Sequence, residues 1–370
     1  SPLRINLYSS HLELRMASGA ERKRVVIVGG GAGGSFLAYL IQDVADVVLV
    51  DQKEYFEITW ASLRAMVEPS FADRSLINHK DYLPKVTLCI SSACNVTETE
   101  IHASNGDAFL YDYLVIATGH PEPDHTEKSQ KLKYFKNQYE KIKSSASVLI
   151  IGGGPTGVEL AGEIANDFPE KSITLVHRGP RLIDFVNEKA SDKALKWLGS
   201  RNVNVLLNES IDMEALANGY YRTLKGEEIK ADCHFLCIGS AKGSTWLEKS
   251  VLRSSLDERG RLMVDKHLAV RGQKNVFAIG DITDVKEMKQ GYVARNHAQV
   301  LAKNLKNLVR GNGCKMAEYK PGADIAIVSL GRKEAVAQLP FVTLSGWIPG
   351  KLKSGDLFVG KTRKELGLTP

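Results

Sequence analysis

Two glycine-rich turns are the features of this sequence with the clearest chemistry. The first, GGGAGG at residues 29–34, follows the apolar run 25–28, and the second, GGGPTG at residues 152–157, follows the apolar run 148–151. Such a turn between a buried strand and a helix directs backbone N–H groups and the positive end of the helix dipole at a pyrophosphate. One nucleotide needs one turn, so the repeat predicts two dinucleotide sites, one for a resident and one for a visiting molecule.

An acidic residue follows the first turn at the point where a ribose would lie. Asp51 ends the apolar run 47–50, about 20 residues after the turn, and can accept hydrogen bonds from both ribose hydroxyls. Gly29 permits the sharp bend, Gly31 lets the pyrophosphate approach the backbone, and Gly34 lets the helix pack close to the strand. A glycine-rich turn in any α/β domain would explain the glycines but would leave Asp51 unexplained.

Basic residues follow the second turn instead. The apolar run 173–176 leads into His177 and Arg178, with Arg181 close behind. A carboxylate here would repel the 2′-phosphate of NADP, whereas an arginine would bind it. The sequence therefore favours NADPH, with NADH as the alternative if these charges are only solvated loop residues.

Two further strands end in turns that suit a dinucleotide. Residues 111–119 end in the tripeptide ATG, and residues 275–283 contain a Gly-Asp turn whose Asp281 can reach ribityl and phosphate oxygens. The complete second unit, which closes with the strand 231–240, lies between them. The first domain is therefore predicted to be split, with the second inserted into it.

The helices that must position these turns follow from the apolar spacing. We expect one helix over residues 35–44, one from the second turn to Phe168, and one over residues 289–305. The last of these also has the spacing of an ordinary core helix, so packing alone would explain its pattern.

The bulk composition sets limits on the function. Hydrophobic residues make up 43% and charged residues 25% of the 370 residues, which is typical of a globular protein. No apolar run approaches the roughly 20 residues that span a bilayer. The net charge of +6 favours anionic ligands, but without a dense basic block we expect no nucleic-acid partner. Five cysteines without a CxxC pair indicate a reducing, cytoplasmic setting.

The order GxGxxG, ATG, GxGxxG and GD resembles the FAD/NAD(P)-dependent flavoproteins with two dinucleotide-binding domains, over nearly all of residues 24–310. The CxxC of the disulfide reductases is absent, and the chain is short for the group. The tail KLKSGDLFVGKTRKELGL at 351–368 is similar to that of the apoptosis-inducing-factor-like, ferroptosis-suppressor-type NAD(P)H–quinone oxidoreductases, as are residues 53–64 and 177–185, particularly in plant members. The resemblance implies FAD as resident cofactor, NAD(P)H as electron donor, and a quinone that becomes an antioxidant hydroquinone.

The resemblance and the motifs together predict an α/β fold with two Rossmann-like domains, the second inserted into the first, and a small α+β C-terminal domain. We expect the FAD-binding domain over residues 22–143 and 255–310, the NAD(P)H-binding domain over 144–254 and the C-terminal domain over 311–370. The first residues, 1–21, fit a leader or an added segment, with a transit-peptide remnant as the alternative.

The candidate site residues follow from the same two sources. Those expected to hold a cofactor are Gly29, Gly31, Gly33, Gly34, Asp51, Lys53, Thr118, Gly119, Asp281, Gly152, Gly154, Thr156, Gly157, His177, Arg178 and Gly239. Three are expected to act in catalysis: Glu159 would orient the nicotinamide, and Lys353 and Phe358 match tail positions that the family places near the flavin and the quinone. A first-turn carboxylate that only complements the helix dipole is the alternative for Glu159.

No nucleophile–base constellation and no metal-ligand spacing occurs in the sequence, and a flavin would carry the chemistry without them. His177 and His297 lie near motifs and suit a structural or cofactor-contacting role better than that of a general base, while the isolated His79 offers less. The aromatic residues of 53–64 have two interpretations, as walls of the flavin ring or as core residues beneath it.

The tail mixes aromatic and aliphatic residues with lysines. An apolar slot for a quinone would draw on Phe341, Trp347, Ile348, Leu357 and Phe358. The lysines suit a peripheral contact with anionic lipid, and a packing interface or a homodimer contact would explain the same pattern. Two other functions stay open: reduction of a soluble one-electron acceptor of the monodehydroascorbate or ferredoxin type, and slow-turnover redox signalling.

Overall fold

The structure is a computed structural model that describes residues 22–120, 125–215, 219–239, 243–313 and 315–370. The predicted leader, residues 1–21, lies outside the described residues. The strands, numbered in chain order, are β1 (Arg24–Val28), β2 (Asp46–Asp51), β3 (Tyr55–Glu57), β4 (Leu76–Asn78), β5 (Val86–Ile90), β6 (Ala93–Val96), β7 (Glu100–Ala103), β8 (Ala108–Leu110), β9 (Tyr113–Ile116), β10 (Ser147–Ile151), β11 (Ser172–His177), β12 (Val203–Leu207), β13 (Tyr220–Arg222), β14 (Glu228–Lys230), β15 (Cys233–Leu236), β16 (Val276–Ala278), β17 (Ala326–Leu330), β18 (Glu334–Gln338) and β19 (Thr343–Gly346). The α-helices are α1 (Ala32–Ile41), α2 (Ser62–Val67), α3 (Ala72–Ser75), α4 (Lys128–Ser144), α5 (Pro155–Asp167), α6 (Glu188–Ser200), α7 (Gly291–Val309), α8 (Trp347–Lys353) and α9 (Val359–Glu365).

The larger sheet is parallel, with its strands in the order β16-β9-β1-β2-β5. The central strand, β1, is an unbroken run of β-branched residues, which is typical of a strand covered on both faces. Val25, Val26 and Ile27 are fully buried. β16 joins this sheet beside β9 although the whole of a second sheet intervenes in the sequence. The glycine turn follows the carboxyl end of β1, and ligands of parallel sheets bind at the carboxyl ends of the strands.

The second sheet is also parallel, in the order β12-β11-β10-β15. Its strands all lie between β9 and β16 in the chain, so its insertion within the first unit follows from the strand order. The predicted fold class, two Rossmann-like units with a small C-terminal unit, is confirmed. The residue limits that we expected for the domains stay a prediction.

Two predicted helices were wrong in their bounds, and one of them, expected over residues 289–305, is α7 (Gly291–Val309). The helix expected over residues 35–44 is α1, which begins at Ala32 and ends at Ile41. Gly33 and Gly34 are poor helix formers in isolation, but close packing needs them inside the helix: a Cβ on Gly33 would lie 3.2 Å from Cδ1 of Ile279. Tertiary contact with the β16 end and with α7 thus outweighs local propensity.

The C-terminal segment forms the antiparallel sheet β17-β18-β19 with helices α8 and α9. It packs on both parallel units. Leu357 and Val359 belong to the core of the first unit, whereas Val328 and Leu330 belong to the core of the second. This segment therefore ties the two dinucleotide units to each other.

Candidate functional site

The first glycine turn has the geometry that a pyrophosphate requires. Gly29 has a φ of +104°, and a Cβ there would lie 2.5 Å from the carbonyl oxygen of Ala117, so only glycine fits. A Cβ on Gly34 would collide with the carbonyl of Gly29. Around Gly31, by contrast, no described atom beyond the adjoining backbone lies within 4 Å of the Cβ position. The turn is thus closed towards the protein and open on its outer side.

The second turn repeats this pattern residue by residue. Gly152 has a φ of +117°, and a Cβ there would collide with the carbonyl of Cys237. A Cβ on Gly157 would collide with the carbonyl of Gly152, while the Cβ position of Gly154 is open among the described residues. Both turns therefore fit a dinucleotide by the same physical criteria.

In each unit, the last residue of the strand that follows the glycine turn binds back to that turn: Asp51 ends β2 and His177 ends β11. In the first, Oδ2 of Asp51 accepts a hydrogen bond from the backbone nitrogen of Gly30. In the second, Nδ1 of His177 accepts one from the backbone nitrogen of Gly153 at 3.1 Å. Because Nδ1 accepts, the ring proton lies on Nε2, which is buried without a partner among the described residues. Burial lowers the pKa of His177, so a neutral imidazole occupies the place of the carboxylate.

The two arginines after His177 differ in what they can offer a ligand. Arg178 is exposed. Arg181 donates to the backbone oxygens of Val186, at 2.6 Å, and of Asp184, so its guanidinium shapes its own loop. Our expectation that Arg181 is available for a 2′-phosphate is therefore not supported, and His177 and Arg178 remain.

The ATG and Gly-Asp turns lie at the same edge of the first sheet. The Thr118 hydroxyl is buried without a partner in the described part of the chain, next to the first glycine turn. Gly119 has a φ of +55°. Asp281 lies in a 3₁₀ turn, with Oδ2 3.1 Å from Nδ1 of His120. A buried hydroxyl without a partner beside an open glycine turn fits a polar cofactor such as FAD.

His297 holds the Gly-Asp turn from behind. Its Nδ1 accepts from the backbone nitrogen of Gly280 at 3.1 Å, and its Nε2 donates to Oε1 of Glu287 at 2.7 Å. The hydroxyl of Tyr319 donates to the other oxygen of Glu287 at 2.6 Å. His297 is fully buried and supports the Gly-Asp turn through these bonds, which fits a structural role.

The sequence offers no signal for His79, which nevertheless lies beside the first turn. A Cβ placed on Gly30 would be 2.7 Å from both His79 Nε2 and Asp51 Oδ2. Nδ1 of His79 lies 2.7 Å from the hydroxyl of Tyr82. Burial lowers the pKa of His79 to about 3, so the ring is neutral. His79 thus forms part of the wall beneath the expected ribose site.

The structure brings two of the predicted catalytic residues together. Nζ of Lys353 lies 2.6 Å from Oε1 of Glu159 and donates to the carbonyl oxygen of Ile327 at 2.8 Å. The backbone nitrogen and the hydroxyl of Ser329 also donate to Oε1 of Glu159, at 2.8 and 3.0 Å. The tail of the chain therefore reaches the first turns of the helix that opens the second dinucleotide site.

Phe358, the third predicted catalytic residue, lies at a strained turn. Leu357 and Phe358 have φ values of 48° and 56°, which bulky residues rarely adopt and which concentrate at functional sites. The indole nitrogen of Trp60 donates to the carbonyl oxygen of Leu357 at 2.8 Å. A Cβ on Gly291 would collide with the ring of Trp60, so this side chain links the strained turn to the start of α7.

The structure separates the aromatic residues of 53–64. Tyr55 and Phe56 are buried in hydrophobic cores, which is the second of the two interpretations. Trp60 is half-buried. Trp60 is therefore the most exposed of the three aromatic side chains.

The other predicted cofactor residues differ in exposure. Gly33 is buried against α7, while Thr156, on the first turn of α5, and Gly239, beyond β15, are exposed. Lys53 lies with its ammonium 5.7 Å from the ring of Tyr55. Their contacts with a cofactor stay predictions.

Apolar side chains of the tail are exposed in two places. Phe341 and Val342 lie at the tip of the β18–β19 hairpin, and the α8 face consists of Trp347, Ile348 and Leu352. Nζ of Lys351 lies 4.9 Å above the ring of Trp347. Leu357 is buried in the core, so the five residues predicted to form an apolar slot for a quinone do not line a single slot. Within the described ranges, no helix has the length and apolar character to cross a membrane.

Comparison with known proteins relates the chain to one family. The family model for pyridine nucleotide-disulphide oxidoreductases matches residues 23–298. The apoptosis-inducing factor homolog B of Dictyostelium discoideum is 32% identical and covers 94% of this chain and 97% of its own length. The ferroptosis suppressor protein 1 of Homo sapiens is 31% identical over 94% of this chain and 96% of its own. The sulfide:quinone oxidoreductase structure of Aquifex aeolicus has the same fold, with a TM-score of 0.73 at 20% identity over 93% of this chain and 92% of that chain.

Proposed function

Because the chain belongs to the pyridine nucleotide-disulphide oxidoreductase family, we propose that it is the quinone-reducing type of FAD-dependent NAD(P)H oxidoreductase. FAD as cofactor and NAD(P)H as nucleotide substrate follow from the family. The choice of a quinone as acceptor depends mainly on the contact of Lys353 with Glu159. This contact holds the tail against the second dinucleotide unit, and the tail presents an exposed apolar face.

The residues at the first turn would hold FAD. The open side of Gly31 would face the pyrophosphate, and Asp51 would accept from the adenosine ribose. Thr118 and Asp281 would bind the ribityl and phosphate oxygens. When bound there, FAD supplies the redox chemistry, taking electrons from the nicotinamide and passing them to the acceptor.

The residues at the second turn would hold NADPH in preference to NADH. The neutral ring of His177 has its proton on Nε2, a hydrogen-bond donor, where a carboxylate would only accept. The exposed guanidinium of Arg178 adds a positive charge beside it. A 2′-phosphate is favoured by a donor and a cation and is repelled by a carboxylate.

Glu159 and Lys353 would act where donor and acceptor meet. The carboxylate of Glu159 positions the nicotinamide end of NADPH. The ammonium of Lys353 holds that carboxylate in place for flavin reduction and also stabilises negative charge that develops on the acceptor during transfer. Phe358, on its strained turn, would pack against the apolar ring of the quinone.

A quinone that is dissolved in lipid requires access from a membrane. The α8 face combines an exposed indole, two aliphatic side chains and a lysine, which suits peripheral contact with anionic lipid. We therefore propose a cytoplasmic protein that touches a membrane through this segment and releases an antioxidant hydroquinone there. A contact between two copies of the chain is the competing use of the same face.

An anaerobic titration tests the function. The purified protein with FAD is expected to lose its absorbance near 450 nm (about where oxidised flavins absorb) on addition of NADPH and to recover it with a short-chain quinone. Recovery only with ferredoxin or monodehydroascorbate would replace the quinone by a soluble acceptor. Bleaching without rapid recovery by any acceptor would favour redox signalling.

A further inference from the structure

Three carboxylates form a row along α5. Glu159, Glu163 and Asp167 are spaced four residues apart, so their side chains lie on one face of the helix. Each pairs with a cation from another part of the chain: Glu159 with Lys353, Glu163 with Arg64, and Asp167 with Arg332. The row therefore fastens the NAD(P)H unit to α2 of the first unit and to the C-terminal segment.

The middle pair is the most deeply buried. Nε of Arg64 lies 2.5 Å from Oε2 of Glu163 and Nη2 lies 2.9 Å from Oε1, so the guanidinium binds the carboxylate through two parallel bonds. Both side chains are 1% exposed. Burial raises the pKa of Glu163, and the guanidinium opposes this by stabilising the charged form.

Arg64 also holds the residue next to Lys353. Its Nη2 donates to the carbonyl oxygen of Ser354 at 2.8 Å, at the C-terminal end of α8. The guanidinium thus joins two points, one helical turn from Glu159 on α5 and one residue from Lys353 on the tail. Arginine can bind both at once because its donors form a rigid planar fork, which a lysine lacks.

We propose that Arg64 is a positioning residue that sets the contact of Lys353 with Glu159. This inference rests on the function proposed above for those two residues. A buried ion pair contributes little net stability compared with apolar packing of similar volume. The geometry that Arg64 imposes on two segments distant in sequence is the better explanation for burying two charges there.

Rates of flavin reduction test this proposal in the full-length protein with FAD bound. Arg64→Met alone leaves the carboxylate of Glu163 buried and unpaired, so this single variant can fail to fold. The double variant Arg64→Met/Glu163→Gln removes both charges and keeps the test valid in that case. At saturating NADPH we expect this double variant to reduce its flavin about tenfold more slowly in stopped flow, with unchanged FAD content, because small misplacements have large kinetic effects. Arg64→Lys is expected to restore only part of the rate.

A second background separates positioning from general stability. If Arg64 acts through Lys353, Arg64→Met/Glu163→Gln adds no further slowing to Lys353→Met. Independent, multiplicative slowing in both backgrounds would overturn the proposal. Flavin reduction by Lys353→Met at the wild-type rate would overturn it too. Quinone turnover by the wild-type protein tests the proposed function separately, and it would leave that function supported even if the role of Arg64 were overturned.

Arg332→Met is the matched control. Arg332 binds Asp167, two turns from Glu159, with Nε at 3.0 Å from Oδ1, and reaches Glu163 only at 3.9 Å. We expect this variant to lower the melting temperature with the reduction rate within about twofold of wild type. Slowing equal to that of the Arg64 variants would show that any cation of the row serves, and would overturn the specific role of Arg64.

Discussion

The ammonium nitrogen of Lys353 lies 2.6 Å from Oε1 of Glu159, across 194 positions of the chain. The contact joins the end of α8 to the first turns of α5. A carboxylate at this point of the helix needs no partner to complement the helix dipole. The convergence of Lys353 and of both donors of Ser329 on one oxygen therefore favours a carboxylate held in a defined orientation.

The first prediction concerns this carboxylate. Glu159→Gln is expected to slow flavin reduction by NADPH about tenfold without loss of FAD, because the amide lacks the charge that binds Lys353. Stopped-flow absorbance under anaerobic conditions measures the rate. Glu170→Gln, an exposed glutamate just beyond α5, is the control and is expected to change nothing. Unchanged kinetics in Glu159→Gln would leave the residue only the dipole role.

The second prediction concerns the nucleotide. We expect a higher kcat/KM for NADPH than for NADH, and His177→Asp is expected to lower the ratio of the two about tenfold, because a carboxylate there repels a 2′-phosphate. Steady-state kinetics with both nucleotides measure the ratio. Arg178→Ala is expected to weaken NADPH alone. A wild-type preference for NADH of more than about tenfold would contradict the assignment.

The glycine turns could be predicted from the sequence because every residue in them acts on its immediate neighbours. Gly29 and Gly152 need positive φ, and the third glycine of each turn meets the carbonyl of the first. The order of these turns along the chain was enough to predict that one unit is inserted in the other. Such local requirements leave a readable pattern.

Contacts between distant segments left no such pattern. Glu159 and Lys353 were each found by resemblance, but their pairing depends on how the tail folds back onto α5. Arg64 ends the stretch 53–64 that resembles the family, but the resemblance assigned it no role, and His79 stands in no motif. Only the structure shows both residues buried beside the site. Gly33 and Gly34 misled the prediction of α1 because their packing against other elements outweighs their low helix propensity.

The third prediction concerns stability at low pH. Burial, with a smaller effect from the charge of Lys53, lowers the pKa of His79 from 6.5 to about 3. The unfolded state therefore binds the proton more readily, so stability is complete above pH 6.5 and falls as the pH drops towards 3. Between pH 7 and pH 5 this residue is expected to lower the free energy of unfolding by about 2 kcal/mol.

Denaturant unfolding at the two pH values measures the effect. His79→Gln is expected to remove about that share of the pH dependence, since glutamine does not titrate. His102→Gln, at a half-buried histidine on the surface, is the control and should change the dependence far less. A His79→Gln protein that loses as much stability as the wild type would assign the acid sensitivity to other groups.

The fourth prediction concerns the proposed contact of Phe358 with a quinone. Phe358→Ala is expected to reduce turnover with a short-chain quinone about tenfold, because an aromatic wall is lost, and to leave ferricyanide reduction nearly unchanged. Both rates are measured with NADPH in the same preparation. Tyr220→Ala, at an exposed aromatic residue of the inserted unit, is the control. Equal losses with both acceptors would show that Phe358 serves only to pack the strained turn.

The fifth prediction concerns the α8 face. The wild type is expected to float with vesicles of phosphatidylcholine and phosphatidylserine, and Trp347→Ser/Ile348→Ser is expected to bind them at least tenfold more weakly, since each buried apolar side chain contributes about 2 kcal/mol. Tyr220→Ser/Leu224→Ser, which removes equally exposed apolar residues from the inserted unit, is the matched control.

The same variant separates the two uses of this face. If the α8 face binds lipid, the variant loses vesicle binding while its mass in solution stays that of the wild type, because the lipid contact adds nothing to self-association. If the face joins two copies of the chain, the wild type is a dimer by light scattering and the variant a monomer, with equal vesicle binding. Added salt should weaken the lipid contact in particular, since Lys351, beside Trp347, would meet anionic headgroups there.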